Sequence, residues 1–218
     1  RVVQVSAIGA DAASASAYAR SKAQGEAGVL AAVPGAVILR PSIVFGPEDG
    51  FFNRFASLAR MLPVLPLIGG GETKFQPVFV GDVAEAVARA VDGAAKAGTV
   101  YELGGPEVKS FRELLAYICE VTGRKRVLAP LPFPLARLQA RAMEIADMLT
   151  LGLVPNELKL TRDQVTLLES DNVVSQAAIA EGRDFAGLGI APTSVEAVVP
   201  SYLWRFRKTG QFDTARAG

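Results

Sequence analysis

An α/β layered fold with parallel strands is the expectation for this 218-residue chain, and three observations carry it. Short apolar runs of strand length, at residues 2–5, 36–39 and 99–103, are separated by stretches of helical length and composition. The run Ala36-Val37-Ile38-Leu39 shows no polar alternation, as expected of a strand covered on both faces. Ser or Asp followed three residues later by Glu stands before two further apolar-periodic segments, the spacing of a helix-opening capping box.

Residues 2–5 predict the first strand and the Ala/Ser-rich stretch 6–16 a loop. A helix over 17–32 follows, broken by Pro34-Gly35 before the strand at 36–39. After a loop over 40–50 come a helix over 51–61, a Pro/Gly-rich turn ending Gly69-Gly70-Gly71, and a strand over 78–80. Asp82 with Glu85 predicts a capping box opening a helix that reaches Val91, and residues 99–103 form the next strand. Ser110 with Glu113 opens a helix carrying Leu114, Ile118 and Val121 on one face until Gly123. Beyond about residue 125 the strand alternation fades. A helix there sets Leu135, Leu138, Ile145 and Leu149 opposite Arg137, Arg141, Glu144 and Asp147, and Thr161 with Gln164 and Thr193 with Glu196 are further capping-box candidates. The division expected is a larger domain over 1–125, a smaller helical lobe over 126–208 and a loose tail over 209–218.

Half of the residues are hydrophobic and 21% are charged, which excludes a disordered chain. The absence of histidine removes Ser-His-Asp hydrolysis, Cys-His nucleophiles and HExxH zinc sites together, and no metal-ligand spacing remains. The single cysteine, Cys119, cannot close an internal disulfide and reads as a small buried hydrophobe, in keeping with a reducing compartment. A net charge of +1 lacks the basic excess of a nucleic-acid-binding domain. The longest uncharged apolar stretch, residues 27–39, contains Pro34 and Gly35 and is too short for a transmembrane span.

Proton chemistry must therefore rest on Tyr, Lys or carboxylates. Ser6 follows the first strand, and Tyr18 and Lys22 stand four apart on the next helix, hence on one face. A phenol is a poor acid-base catalyst near neutral pH unless a neighbouring cation favours its phenolate, and Lys22 could supply that charge. The Ser6 hydroxyl could hold the same substrate oxygen. Tyr-x-x-x-Lys alone is a short pattern, equally served by a packed Tyr and a solvated Lys; its context adds weight, since a buried strand and then Arg40-Pro41-Ser42-Ile43-Val44-Phe45-Gly46-Pro47 follow.

In this order of elements the chain resembles the extended or atypical short-chain dehydrogenase/reductase superfamily. The resemblance implies the C-terminal part of a Rossmann-type doubly wound parallel sheet plus a smaller, mostly helical lobe. It also implies Ser6, Tyr18 and Lys22 as catalytic residues, with Tyr18, Lys22, Pro41, Ser42, Ile43 and Val44 lining a dinucleotide cofactor. Within the superfamily, Tyr18-Ala19-Arg20-Ser21-Lys22, residues 75–84, Tyr101-Glu102-Leu103-Gly104-Gly105-Pro106, residues 160–165, Ser170-Asp171-Asn172-Val173-Val174 and Pro200-Ser201-Tyr202-Leu203-Trp204-Arg205 are similar to the NAD(P)H-binding accessory subunits of respiratory complex I and their bacterial relatives. From that group follow NADP or NAD as cofactor, NADP preferred, with the cofactor mainly structural. Complex I subunits follow as partners, and a cytoplasmic location, peripheral on the inner membrane or on the matrix side in a eukaryote. The helix from Leu135 to Leu149, with Arg137 and Arg141 opposite its apolar face, could lie against a partner or at a membrane interface, or pack on its own domain.

The alternatives are an active NAD(P)-dependent reductase, epimerase or dehydratase using Ser6, Tyr18 and Lys22 on an alcohol, carbonyl or sugar nucleotide, and a structural module without cofactor. One departure stands out: no Gly-rich strand-turn-helix cradles a pyrophosphate, and Gly69-Gly70-Gly71 is followed by Glu72 and Lys74 rather than a helix. The resemblance then places the opening βαβ units upstream of Arg1, leaving a sheet edge exposed and nucleotide binding weak or absent in this piece alone.

Overall fold

The computed structural model describes residues 1–150, 159–208 and 210; the tail expected over 209–218 lies outside the described residues apart from Gly210. In chain order the elements are β1 (Val3–Val5), α1 (Ala17–Ala32), β2 (Val37–Pro41), β3 (Val44–Phe45), α2 (Phe52–Met61), β4 (Val64–Ile68), β5 (Lys74–Phe75), β6 (Val78–Phe79), α3 (Val80–Asp92) and β7 (Val100–Leu103). They continue with β8 (Lys109–Ser110), α4 (Phe111–Val121), β9 (Val127–Leu131), α5 (Phe133–Leu149), α6 (Arg162–Leu167), α7 (Gln176–Ala180), α8 (Val195–Val198) and α9 (Pro200–Leu203). The chain forms two compact units, Arg1–Gly46 with Lys74–Val108 and Asp171–Ala197, and Pro47–Thr73 with Lys109–Ser170 and Val198–Gly218.

The first unit is a parallel α/β layer, the Rossmann-like architecture expected. Its sheet has the order β1-β2-β7, with Val5 opposite Leu39 and Leu39 opposite Tyr101. β2 is central, and Ile38 and Leu39 are fully buried, as their unbroken apolar run requires. Leu39, Tyr101 and Leu103 pack with Val83, Ala86 and Ala90 of α3 and with Phe185, Leu188 and Ile190 to form the core. α1 occupies the span expected; Ser16 caps it, its hydroxyl accepting from the Ala19 amide. A second parallel pair, β3 with β6, aligns Val44 with Val78.

α3 begins two residues before the expected cap, so the strand over 78–80 stops at Phe79 and Asp82 sits inside the first helical turn. Its carboxylate faces residue 193 rather than the helix end: Thr193 donates its amide to Oδ2 at 2.6 Å and its hydroxyl to Oδ1 at 3.0 Å. The Asp82 signal thus belongs to a tertiary contact rather than to a helix cap.

In the second unit an aromatic cluster joins α2 to α4, Phe51 and Phe55 meeting Phe111 at centroid separations of 6.2 and 5.3 Å. The capping boxes at Ser110/Glu113 and Thr161/Gln164 are both formed. This unit also holds strands: β4 and β9 pair in parallel from Val64–Val127 to Ile68–Leu131. Pro66 and Pro130 lie within these strands and hid them from the sequence; each strand has an unpaired side in this two-stranded sheet, where a missing N–H costs little.

Candidate functional site

Because β1, β2 and β7 run parallel, their carboxyl ends at Val5, Pro41 and Leu103 share one edge, outside which open α/β sheets form their ligand crevices. Ser6 follows β1 there. Its amide donates to the Leu39 carbonyl at 2.7 Å, the Ile8 amide to Pro41 O at 3.0 Å and the Asp11 amide to Ala19 O at 3.3 Å. The loop over 6–11 is therefore fastened both to the end of β2 and to the first turn of α1, which brings Ser6, Pro41 and the turn bearing Tyr18 to the same edge.

Tyr18 and Lys22 share a face of α1, with Lys22 Nζ 5.5 Å from the Tyr18 ring centroid. Tyr18 is 46% exposed, and burial of the remainder pushes its phenol above the ordinary tyrosine value. Ser6 is 4% exposed, and its Oγ has no hydrogen-bond partner among the described residues. Leaving a buried hydroxyl unsatisfied costs on the order of 1–3 kcal/mol, so this atom is poised for a ligand or water.

One helical turn beyond Lys22, Glu26 is buried against β2, where Arg40 clasps it through Nε–Oε1 at 2.8 Å and Nη2–Oε2 at 2.6 Å. This fork fixes α1 on β2 and so sets where Tyr18 and Lys22 stand. Sequence reasoning passed over Glu26, since one Glu in a helix looks like a solvated residue until its partner is placed.

Pro41 to Val44 connect β2 to β3, with Pro41 and Ser42 buried and Ile43 and Val44 half-buried. Their polar groups largely serve the protein: Ser42 N donates to Leu103 O at 2.9 Å, and Ile43 O accepts from Val78 N at 2.9 Å. The Ser42 hydroxyl donates to Asn172, lying 2.9 Å from its carbonyl and 2.7 Å from Oδ1. Asn172 Nδ2 in turn donates to Ile8 O at 3.2 Å, tying the two loops of this edge together. The motif around Asn172 was visible in the sequence, but its organising role was not.

A nicotinamide dinucleotide can be tested against these residues. An unsatisfied buried hydroxyl, a half-exposed phenol and an ammonium at the carboxyl edge suit the ribose and nicotinamide end. The triple glycine at 69–71 does not suit a pyrophosphate: a Cβ at Gly69 would lie 2.3 Å from the Phe133 ring and one at Gly71 3.0 Å from Arg112 Cβ. Arg112 also donates to Gly70 O at 2.7 Å. Protein atoms fill the space that a phosphate cradle leaves open.

The comparisons agree with this architecture. A family profile described as the RmlD substrate binding domain matches residues 10–165. The chain is 36% identical over 211 residues to NADH dehydrogenase (ubiquinone) 1 alpha subcomplex subunit 9, mitochondrial, of Arabidopsis thaliana, covering 96% of this chain and 52% of that protein. It is 34% identical over 200 residues to the same subunit of Rattus norvegicus, covering 90% of this chain and 49% of that protein. The chain thus spans about half the length of these curated relatives. Its fold is like that of DesIV, a dTDP-glucose 4,6-dehydratase from Streptomyces venezuelae crystallised with NAD and TYD, at a TM-score of 0.61 and 18% identity over 94% of this chain and 59% of that one. With the profile covering well over half of the sequence, the chain belongs to the RmlD substrate binding domain family, of the extended short-chain dehydrogenase/reductase type.

Proposed function

We propose that this chain supplies the nicotinamide-facing part of an NAD(P) site in a protein that works as an accessory subunit of respiratory complex I, with the dinucleotide serving mainly as a structural element. The observation that carries the site is the buried Ser6 hydroxyl, without a hydrogen-bond partner among the described residues, at the sheet edge that also holds Tyr18 and Lys22. The complex I assignment is supported by the identity to subunit 9 along most of this chain. The resemblance favours NADP over NAD. The resemblance also favours peripheral attachment to a membrane, at the matrix side in a eukaryote or the cytoplasmic side in a bacterium; no helix among the described residues is long and apolar enough to cross a bilayer.

Tyr18 and Lys22 would hold the nicotinamide ribose, and Pro41 to Val44 would flank the ring with mostly apolar surface because their polar groups are engaged. When bound, the nicotinamide supplies hydride chemistry. The chain's own contribution is positional: the Glu26–Arg40 fork holds α1 in place, and Asn172 holds the Ser42 and Ile8 loops.

A second reading, an active reductase, epimerase or dehydratase, is favoured by the exposure of Tyr18. There Ser6 would donate to the substrate oxygen and Tyr18 would exchange a proton with it at the phenol oxygen.

NADPH titration of the full-length protein, followed by nucleotide fluorescence, tests the site. Binding that weakens in Tyr18→Phe and Lys22→Ala supports it, and absence of binding overturns it. Turnover of a carbonyl panel that disappears in Tyr18→Phe would replace the structural role with the catalytic one. Co-purification with respiratory subunits tests the partnership separately.

A further inference from the structure

The carboxyl end of α4 and the start of β9, both in the second unit, frame a cavity of about 520 Å³. Ala116, Cys119 and Leu128 give it an apolar floor, and three consecutive cations, Arg124, Lys125 and Arg126, stand around it with Glu120 as the one carboxylate in the lining. Burial disfavours the charged form of the Arg124 guanidinium, and the neighbouring charges of Arg126 and Arg60 push it the same way. No carboxylate forms an ion pair with Arg60, Arg124, Lys125 or Arg126 among the described residues.

The guanidinium groups are anchored but not exhausted. Arg124 Nε donates to Phe206 O at 2.9 Å, and Arg126 Nε donates to Ala59 O at 2.6 Å. Arg126 Nη1 donates to Lys125 O at 2.9 Å. Among the described residues, both Nη groups of Arg124 and Nη2 of Arg126 keep their donors, on forks whose orientation is already fixed. Helix α4 ends here, and its carbonyls account for part of the cationic charge: Arg207 Nε donates to Val121 O at 2.8 Å. A helix terminus carries roughly half a negative charge, however, and cannot balance four cations. Glu120 is a single carboxylate against these charges and is ion-paired to none of them among the described residues, so the excess of positive charge calls for an anion, and fixed guanidinium forks match phosphate oxygens in geometry.

We propose that this cavity binds a phosphate-bearing ligand, its anionic group gripped by Arg124, Lys125 and Arg126 and a compact apolar portion resting on Ala116, Cys119 and Leu128. The site lies within one unit and shares no residue with the carboxyl-edge site. A soluble phosphate compound and a phosphate headgroup of a lipid present the same chemistry to it.

Cys119 reports on occupancy, because it lines the cavity and is the sole cysteine in the sequence. The full chain is titrated with inorganic pyrophosphate and, separately, with phosphatidylcholine vesicles with and without phosphatidic acid, while maleimide labelling of Cys119 is followed. Lys125→Glu is the main variant, since the Lys125 side chain makes no hydrogen bond among the described residues and the fold does not depend on it; Arg126→Gln is the second. Pyrophosphate that binds, slows Cys119 labelling and binds about tenfold or more weakly to Lys125→Glu supports a soluble source. Binding and protection confined to phosphatidic acid vesicles, with the same loss in the variant, supports a headgroup. The proposal fails if neither probe binds, if binding leaves Cys119 labelling unchanged, or if Lys125→Glu and Arg126→Gln bind as wild type does.

Discussion

Lys22 holds its Nζ 5.5 Å from the centroid of the Tyr18 ring, so its charge faces the π cloud. Burial therefore governs the phenol in the nucleotide-free protein and raises it above its ordinary value of 10.0. As pH climbs, the unfolded chain loses this proton first. The stability the group contributes is complete below its unfolded value and declines as pH rises through its folded one. The absorbance difference between wild type and Tyr18→Phe isolates this residue from the other tyrosines, and its titration midpoint should lie above 10. A midpoint below that would mean Lys22 already favours the phenolate without a nucleotide.

Asn172 should matter more for how its side chain is oriented than for its size. Its Nδ2 meets Ile8 O at 3.2 Å and its Oδ1 meets the Ser42 hydroxyl at 2.7 Å. Asn172→Ala strips a partner from Ile8 but leaves Ser42 the backbone carbonyl, for a loss of about 1–2 kcal/mol. Asn172→Asp turns an oxygen towards the Ile8 carbonyl and should cost more at neutral pH, recovering in acid as the carboxyl protonates. Urea denaturation of both variants measures this. An aspartate variant as stable as wild type would remove the organising role.

The strand-helix-strand core was legible because each element carries its own signal. The apolar run from Ala36 to Leu39 demanded two covered faces, and Ser110 and Thr161 mark helix starts through local hydrogen bonds. What escaped the sequence depends on partners far along the chain. β4 and β9 contain Pro66 and Pro130 and become strands only by pairing with each other. Asp82 looked like a cap because its true partner, Thr193, stands far downstream. At the candidate site, Tyr18 and Lys22 could be matched by helical spacing, whereas the Glu26–Arg40 fork and the Asn172 bridge could not.

The α4 capping box should be visible in the acid limb of stability. Glu113 Oε2 accepts from the Ser110 amide and hydroxyl, each at 2.7 Å, and these bonds hold its carboxyl below the usual glutamate value. Its contribution is present above about 4.5 and is lost as pH falls through the depressed folded value. Glu144 and Glu181 are lowered as well, so the informative quantity is the difference between wild type and Glu113→Gln. That difference should shrink on acidification, while Ser110→Ala should cost about 1 kcal/mol at neutral pH. A difference independent of pH would show that the carboxylate charge contributes nothing to the cap.

The same added methyl group should act in opposite directions at two glycines. Gly28 lies exposed in the interior of α1, and a Cβ there meets nothing within 4 Å. Gly28→Ala therefore removes backbone freedom from the unfolded chain without a steric cost and should stabilise by roughly 0.5–1 kcal/mol. Gly105 follows β7 at the carboxyl edge, where a Cβ would stand 2.0 Å from Pro77 O and 3.1 Å from Pro77 C. Those are backbone atoms and cannot swing aside. The Gly105 amide also donates to Gln76 O at 3.2 Å, and Gln76 Nε2 returns a bond to Gly105 O at 2.8 Å, so shifting either chain breaks its neighbour's pairing. Gly105→Ala should cost about 1–3 kcal/mol, and more if both bonds are lost. Because Gln76 N also reaches Ser42 Oγ at 3.2 Å, the disturbance should spread to the Ser42 loop and weaken NADPH binding beyond what the stability loss alone explains. Urea midpoints for both variants, read beside NADPH affinity, separate these effects; unchanged affinity in a destabilised Gly105→Ala would confine that glycine to packing.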